Sequence, residues 1–139
     1  MNARPPLSDS QVFHLSLAHH VNLQALFDGT ADLDILWQHT GGVLTWSHVA
    51  KRTRTCRAEM AHQIKLADTL LNRYRATGLV QLTPAEYQIA RFGVGVMDLL
   101  ASTVSQADAI AAAEWSEARL AEISALPPHP HQEHTSCPA

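Results

Sequence analysis

Hydrophobic residues recur three and four positions apart along most of this chain, the spacing that places them on one face of an α-helix. A capping box of Ser8 and Gln11 predicts the start of the first helix, which ends at the turn sequence DGTAD. The same periodicity predicts a second helix over residues 31–50 and a third over residues 53–77. No segment shows the alternation of a β-strand, so the pattern predicts an all-α fold.

The stretch RATGLVQLTPAEY between the third and fourth helices is rich in helix stop and start signals. Gly78 suits the left-handed position just past a helix end. Thr83 suits the N-cap of the next helix, with Pro84 in its first turn and Glu86 completing a capping box. Because each of these residues has a structural role, we interpret the stretch as a corner between helices and not as a catalytic loop.

The fourth helix is predicted to be long, because no proline follows Pro84 until Pro127. Without interruption it would contain about 42 residues and extend roughly 63 Å. Gly93, Gly95 and the serines of 102–105 mark positions where it would bend or divide. The fold expected from these segments is bundle-like, with four helices of which the C-terminal one is long.

The 139 residues are 46% hydrophobic and 17% charged, values typical of one soluble globular domain. We expect a single helical domain over 1–126, followed by a disordered Pro/His-rich tail over 127–139. The N-terminus lacks the apolar run of a secretory signal, and no apolar stretch is long enough to span a membrane. Two cysteines far apart fit reduced thiols, so a cytoplasmic location is expected.

The fourth helix carries apolar residues on two separate faces, and the second helix shows a similar pattern. A helix that is apolar nearly all round is buried on several sides, either inside its own core or against a partner. An exposed apolar face of this kind marks an interface, where Gly93 and Gly95 would let another helix approach closely. The residues predicted to bind a protein partner or a second copy are Phe92, Val96, Leu99, Trp115 and Trp46.

The net charge of −3 hides a basic segment, because residues 51–75 contain seven of the ten Lys and Arg residues. A basic helix face would select an acidic protein partner, and it would also suit the phosphates of nucleic acid. Both readings stay open at this level, although KRTRTCR offers no aromatic side chain for stacking on bases. The residues predicted to form this basic face are Lys51, Arg52, Arg54, Arg57, Lys65 and Arg73.

The nine histidines raise a further alternative, a metal or small-ligand site built from His14, His19, His39 or His48. A metal site requires at least three of them to converge. His19 lies among apolar residues of the first helix, so we expect it to be a neutral, hydrogen-bonded core histidine. The chain has no G-x-S-x-G, phosphate-binding glycine loop or C-x-x-C motif, and Cys56 lies on a core stripe. We therefore expect no enzyme activity, cofactor or bound metal.

The segments LDILWQHTGGVLTWSHVAK and RYRATGLVQLTPAEYQIARF, with the Ala/Glu-rich helix after them, carry a resemblance to a group of proteins. Over about residues 13–123 the chain resembles small all-helical proteins of proteobacterial chromosomes, plasmids and prophages, often labelled automatically as Fis-like transcriptional regulators. The resemblance implies a helical architecture and a bacterial or mobile-element setting, and it assigns no activity. The function predicted from the residues is a non-enzymatic interaction module with a regulatory or accessory role that forms a homodimer.

Overall fold

The computed structural model describes residues 5–125 and folds them into helices without a strand. The predicted all-α class is confirmed for these residues, and no helix among them is long and apolar enough to cross a membrane. The predicted disordered tail, 127–139, lies outside the described residues. The five helices are α1 (Asp9–Asp28), α2 (Leu33–Thr53), α3 (Arg57–Thr77), α4 (Pro84–Thr103) and α5 (Gln106–Ser124).

The long C-terminal helix predicted for an uninterrupted chain does not form, because the chain divides it into α4 and α5 at residues 104–105, among the serines marked as a possible break. Val104 and Ser105 both have extended backbones, with ψ angles of 146° and 154°, and this ends the helical path. The Ser105 hydroxyl accepts a hydrogen bond from the backbone N–H of Asp108 at 3.1 Å and so caps α5. Residues 5–125 therefore form five helices of about equal length where four were predicted.

The N-terminal segment packs against this break between α4 and α5. The backbone N–H of Gln106 donates to the Pro5 carbonyl at 2.8 Å. Its side-chain amide donates to the Pro6 carbonyl at 3.2 Å. These contacts join positions about one hundred residues apart and satisfy an N–H of the first turn of α5, which has no partner within the helix.

Helix α2 is central in the fold and packs against each of the other four helices. Helices α1 and α3 also pack on α4, which closes a ring of α1, α2, α3 and α4, while α5 packs on the outside of α2. The side chains at the centre are apolar and almost fully buried, and the largest are Leu26, Leu36, Trp46, Met60, Leu70 and Met97. Burial of such residues supplies most of the stabilisation of a bundle of this size.

Both predicted capping boxes are present. Ser8 Oγ accepts from the Gln11 N–H at 3.1 Å, and Gln11 Oε1 accepts from the Ser8 N–H at 2.8 Å. Thr83 and Glu86 make the same reciprocal pair at 3.2 and 2.9 Å. Gly78 ends α3 with φ 73°, in the left-handed region that glycine adopts without strain. The stretch RATGLVQLTPAEY is thus a corner, as predicted.

The boundary between α2 and α3 differs from the predicted one. Helix α2 continues to Thr53, and α3 begins at Arg57 instead of residue 53. The connecting residues Arg54 and Cys56 have φ angles of 56° and 57°, which a helix does not permit. This short left-handed connection turns the chain so that α3 runs back along α2.

Arg73 bridges the corner and does not belong to a free basic face, contrary to the prediction. Its Nη1 donates to the Gln81 carbonyl at 2.8 Å. Its two terminal nitrogens also donate to the two carboxylate oxygens of Glu86 at 2.9 and 2.7 Å. These hydrogen bonds from Arg73 are the main reason that the pKa of Glu86 falls to about 2. The pair fixes the end of α3 against the start of α4.

Replacing Arg73 with Met is expected to destabilise the protein by about 2 kcal/mol at pH 7, because the largely buried carboxylate of Glu86 loses a bidentate partner. Urea unfolding at constant pH measures the change. The control is Arg119→Met, which breaks the exposed Arg119–Glu122 pair and is expected to cost less than about 1 kcal/mol. Equal losses in the two variants would contradict the assigned role of Arg73.

Candidate interaction surface

The outer face of α4 is apolar and open to solvent. Phe92 and Leu99 are 61% and 54% exposed, and Ile89 is also exposed, while Val96 lies at the base of the face and is buried. These four residues follow one another at intervals of three, four and three positions, so they form one stripe along the helix. We call this stripe, consisting of Ile89, Phe92, Val96 and Leu99, the α4 apolar face.

The α4 apolar face borders a groove between α3 and α4. One part of the groove has a volume of about 600 Å³ and the adjoining part about 520 Å³. Phe92 lines both parts, together with Glu59 of α3 and Gln88 of α4, and so forms a ridge between two depressions. A ridge beside apolar hollows is a shape that a second helix with complementary side chains fits.

The thiol of Cys56 lies in this groove but is not placed for nucleophilic chemistry. Burial raises the pKa of the Cys56 thiol, and the neighbouring carboxylate of Glu59 raises it further. Because the thiolate is the reactive form, this environment favours an unreactive thiol. The groove therefore offers apolar contact surface with a polar rim, and no activated nucleophile at this position.

Helices α3 and α4 approach closely because Gly93 has no side chain. The side chain of Gln63 crosses Gly93, and a Cβ at that glycine would lie 2.1 Å from Gln63 Cδ. Gln63 is buried, and its amide donates to the Ile89 carbonyl at 2.9 Å. Gly93 therefore allows a close contact within the chain. The predicted contact of Gly93 with a partner helix is wrong. Gly95 differs, because nothing lies within 4 Å of the position of its Cβ.

Two of the predicted partner-binding residues do not lie on the α4 apolar face. Trp46 is only 2% exposed and belongs to the core, where its indole N–H donates to His19 Nε2 at 2.8 Å. Trp115 lies on α5, stacked on His48 with ring centres 4.9 Å apart. It lines a different groove, formed by α2, α3 and α5. The prediction for Trp46 is wrong. The other predicted partner-binding residues divide between the α4 apolar face and the groove of α2, α3 and α5.

The histidines do not converge on one site. His19 accepts a hydrogen bond from Trp46, which requires an unprotonated Nε2, and burial lowers its pKa. The predicted hydrogen bond of His19 is confirmed and burial favours its neutral form, but the residue is half-buried and does not lie in the core. His39 is buried in α2, whereas His14 is exposed near the start of α1 and His48 stacks on α5. Within residues 5–125, no three His, Cys, Asp or Glu side chains are arranged to hold a metal ion.

The predicted basic face is reduced by two ion pairs. Arg73 pairs with Glu86, and Arg52 pairs with Asp108 of α5 at 3.0 Å. The other four predicted basic residues are exposed but lie in two places. Lys51 and Lys65 line the groove of α2, α3 and α5. Arg54 and Arg57 lie at the turn between α2 and α3. Since charge neutralisation of several phosphates drives nucleic-acid binding, the pairing weakens the nucleic-acid alternative.

Sequence reasoning missed an apolar stripe on α1. Phe13, Leu17 and Val21 are all exposed and lie at intervals of four residues. The four-residue spacing is visible in the sequence. It was missed because the core residues of α1 form a second stripe beside it, and that stripe alone explains the amphipathic pattern of the helix. The α1 stripe adds a second exposed apolar surface to the α4 apolar face.

The structure describes an all-helical bundle with an exposed apolar face on α4 and a charged groove beside α5. Comparisons of the chain with protein-family models, with curated proteins and with solved structures give no match. The resemblance to proteins labelled Fis-like therefore stays a prediction.

Proposed function

We propose that the protein is a non-enzymatic interaction module with a regulatory or accessory role, and that it self-associates through the α4 apolar face. The observation that supports this proposal most strongly is the exposure of two large apolar side chains, Phe92 and Leu99, on either side of Gly95. Aromatic side chains such as that of Phe92 are enriched at protein interfaces. Exposure of these apolar side chains to water in a single copy is unfavourable. Contact with a second copy would bury the same apolar surface.

The positions of these residues suit a two-fold contact between copies. Phe92 and Leu99 lie seven residues apart, which is about 10 Å along the helix, and the point midway between them falls at Gly95 and Val96. If two α4 helices run antiparallel about a two-fold axis at this point, Phe92 of each copy meets Leu99 of the other. The missing side chain of Gly95 lets the two helix backbones approach closely.

Substitution of both Phe92 and Leu99 with Asp is expected to convert the protein from a dimer to a monomer, because four carboxylates cannot be buried unpaired in one interface. Sedimentation equilibrium at micromolar concentration measures the mass. We expect the wild type to show twice the 15.2 kDa of one chain and the variant to show that mass once.

The control is Leu79→Asp, which makes the same change at a residue that is 70% exposed in the connection between α3 and α4. Its mass is expected to stay that of the wild type. Far-ultraviolet circular dichroism is expected to show that each variant keeps its helices, since all three positions are exposed. A monomeric wild type, or a double variant with unchanged mass, would refute self-association through α4.

A further inference from the structure

A second groove lies on another part of the surface, where α3 and α5 both pack on α2 but do not pack on each other. Its volume is about 430 Å³, within the range of small-molecule sites. Thr40, Leu44 and Ser47 of α2 contribute to its lining. We call it the α2–α3–α5 groove.

The lining of this groove is amphipathic. Its apolar part consists of residues from all three helices, and its polar part is mainly cationic. Asp68 is the one acidic residue among the residues that line it, and Arg119 already pairs with Glu122 on the surface. The apolar residues are Leu44, Ile64, Ala67, Leu71, Trp115 and Ile123, and the cations are Lys51, Lys65, Arg75 and Arg119.

The two ends of the groove differ. At one end, Arg75 Nη2 donates to the Ile123 carbonyl at 3.0 Å, so a side-chain bridge from α3 to α5 closes it. Lys51 lies at the other end, two residues before α2 ends at Thr53, and Lys65 lies in the first half of α3, farther from the closed end than Leu71 and Arg75. The ion pair between Arg52 and Asp108 places the start of α5 at that same end. Arg75 and Arg119 lie toward the closed end but already bond to the Ile123 carbonyl and to Glu122, so Lys51 and Lys65 are the cations of the groove that remain for a ligand.

We propose that the α2–α3–α5 groove binds a small amphipathic carboxylate. The carboxylate lies between Lys51 and Lys65, and an unbranched apolar body lies along Leu44 and Leu71 toward Ile123. The floor of the groove from residue 40 to residue 51 is about 16 Å long, which matches an extended aliphatic chain of medium length.

The shape favours a small molecule over an acidic protein helix. A helix with side chains is at least 10 Å across, so a 16 Å length of it occupies on the order of 1,000 Å³. The groove offers less than half of that volume, and the bridge from Arg75 to Ile123 blocks one end. A single aliphatic chain requires no wider opening. The charge on Lys51 and Lys65 selects a negative head group over a neutral or positive one.

The test is calorimetric titration of the full chain with dodecanoate below its micelle concentration. We expect saturable binding with one site per chain and no binding of dodecyltrimethylammonium, which has the same chain and the opposite charge. Lys51→Glu and Lys65→Glu are each expected to weaken dodecanoate binding at least about tenfold, since the head group loses a cation and gains a repelling charge.

Arg57→Glu is the matched control, because it makes the same charge change at an exposed residue of α3 outside this groove. It is expected to bind dodecanoate like the wild type. The double variant at Phe92 and Leu99 is also expected to bind normally, which separates this site from the α4 apolar face. Absent binding, equal binding of the cationic amphiphile, or equal weakening by Arg57→Glu and Lys65→Glu would overturn the proposal.

Discussion

Lowering the pH from 7 to 4 is expected to cost the fold about 3 kcal/mol through His39 alone. The imidazole of His39 is buried in α2, and burial, with a smaller effect from His19, lowers its pKa from 6.5 to about 4. Because the folded pKa is below the unfolded one, the unfolded chain binds the proton more readily. The contribution of neutral His39 is complete above pH 6.5 and is lost as the pH falls to about 4.

Urea unfolding at a series of pH values measures this loss. His39→Leu is expected to remove the larger part of the pH dependence between pH 6.5 and pH 4.5, because leucine has no proton to gain. The Nε2 atom of His39 has no hydrogen-bond partner among the described residues, so the substitution breaks no hydrogen bond at that atom. Part of the dependence stays, since the pKa of His19 is also lowered by burial.

His14→Gln is the control for this experiment, because His14 is exposed near the start of α1. It is expected to leave the pH dependence unchanged. Below pH 4.5 both variants still lose stability as Glu86, whose pKa is lowered to about 2, takes up its proton. An unchanged slope between pH 6.5 and pH 4.5 in His39→Leu would show that His39 is not held neutral by burial.

Gly93→Ala and Gly95→Ala are expected to change stability in opposite directions, although the two glycines are two residues apart on α4. A methyl group at Gly93 would overlap the buried side chain of Gln63, and overpacking of this kind costs about 1–3 kcal/mol. A methyl group at Gly95 meets nothing within 4 Å. There, alanine is expected to stabilise the helix by about 1 kcal/mol.

The glycine substitutions are best compared in the Phe92→Asp, Leu99→Asp background, where association does not contribute to the unfolding free energy. Thermal or urea unfolding then reports the monomer alone. A Gly93→Ala variant as stable as its parent would mean that Gln63 moves aside without loss. Destabilisation by Gly95→Ala would mean that this position is not open on the outside of α4.

The helix starts could be predicted because capping is local. Ser8 with Gln11, and Thr83 with Glu86, each act over three residues, and both boxes form as the sequence indicates. The break after α4 falls at the serines of 102–105, one of three places where the sequence indicated a bend or division, but with no glycine or proline there the sequence did not single it out. A Ser105-x-x-Asp108 signal is present, but the break also depends on the N-terminal segment, which is about one hundred residues away in sequence.

The candidate site could be predicted only in part, because exposure depends on how the helices pack. Periodicity assigned Trp46 and Phe92 alike to a second apolar face. Helix α5 folds back onto α2 and His19 of α1 bonds to Trp46, so Trp46 becomes buried while Phe92 stays exposed. Arg73 was likewise predicted to be free, since its partner Glu86 lies across a corner that turns the chain back on itself.

Cysteine cross-linking at Gly95 tests most directly whether two copies meet at the middle of α4, as we propose. The chain carries Gly95→Cys with Cys56→Ser and Cys137→Ser, because Cys56 lines the same groove and would compete within one copy. A disulfide requires the two Cα atoms to lie within about 7 Å. We expect mild oxidation to give a disulfide-linked dimer, and to give none when the cysteine is placed at Leu79. Chains that sediment as dimers but do not cross-link at position 95 would contradict the claim.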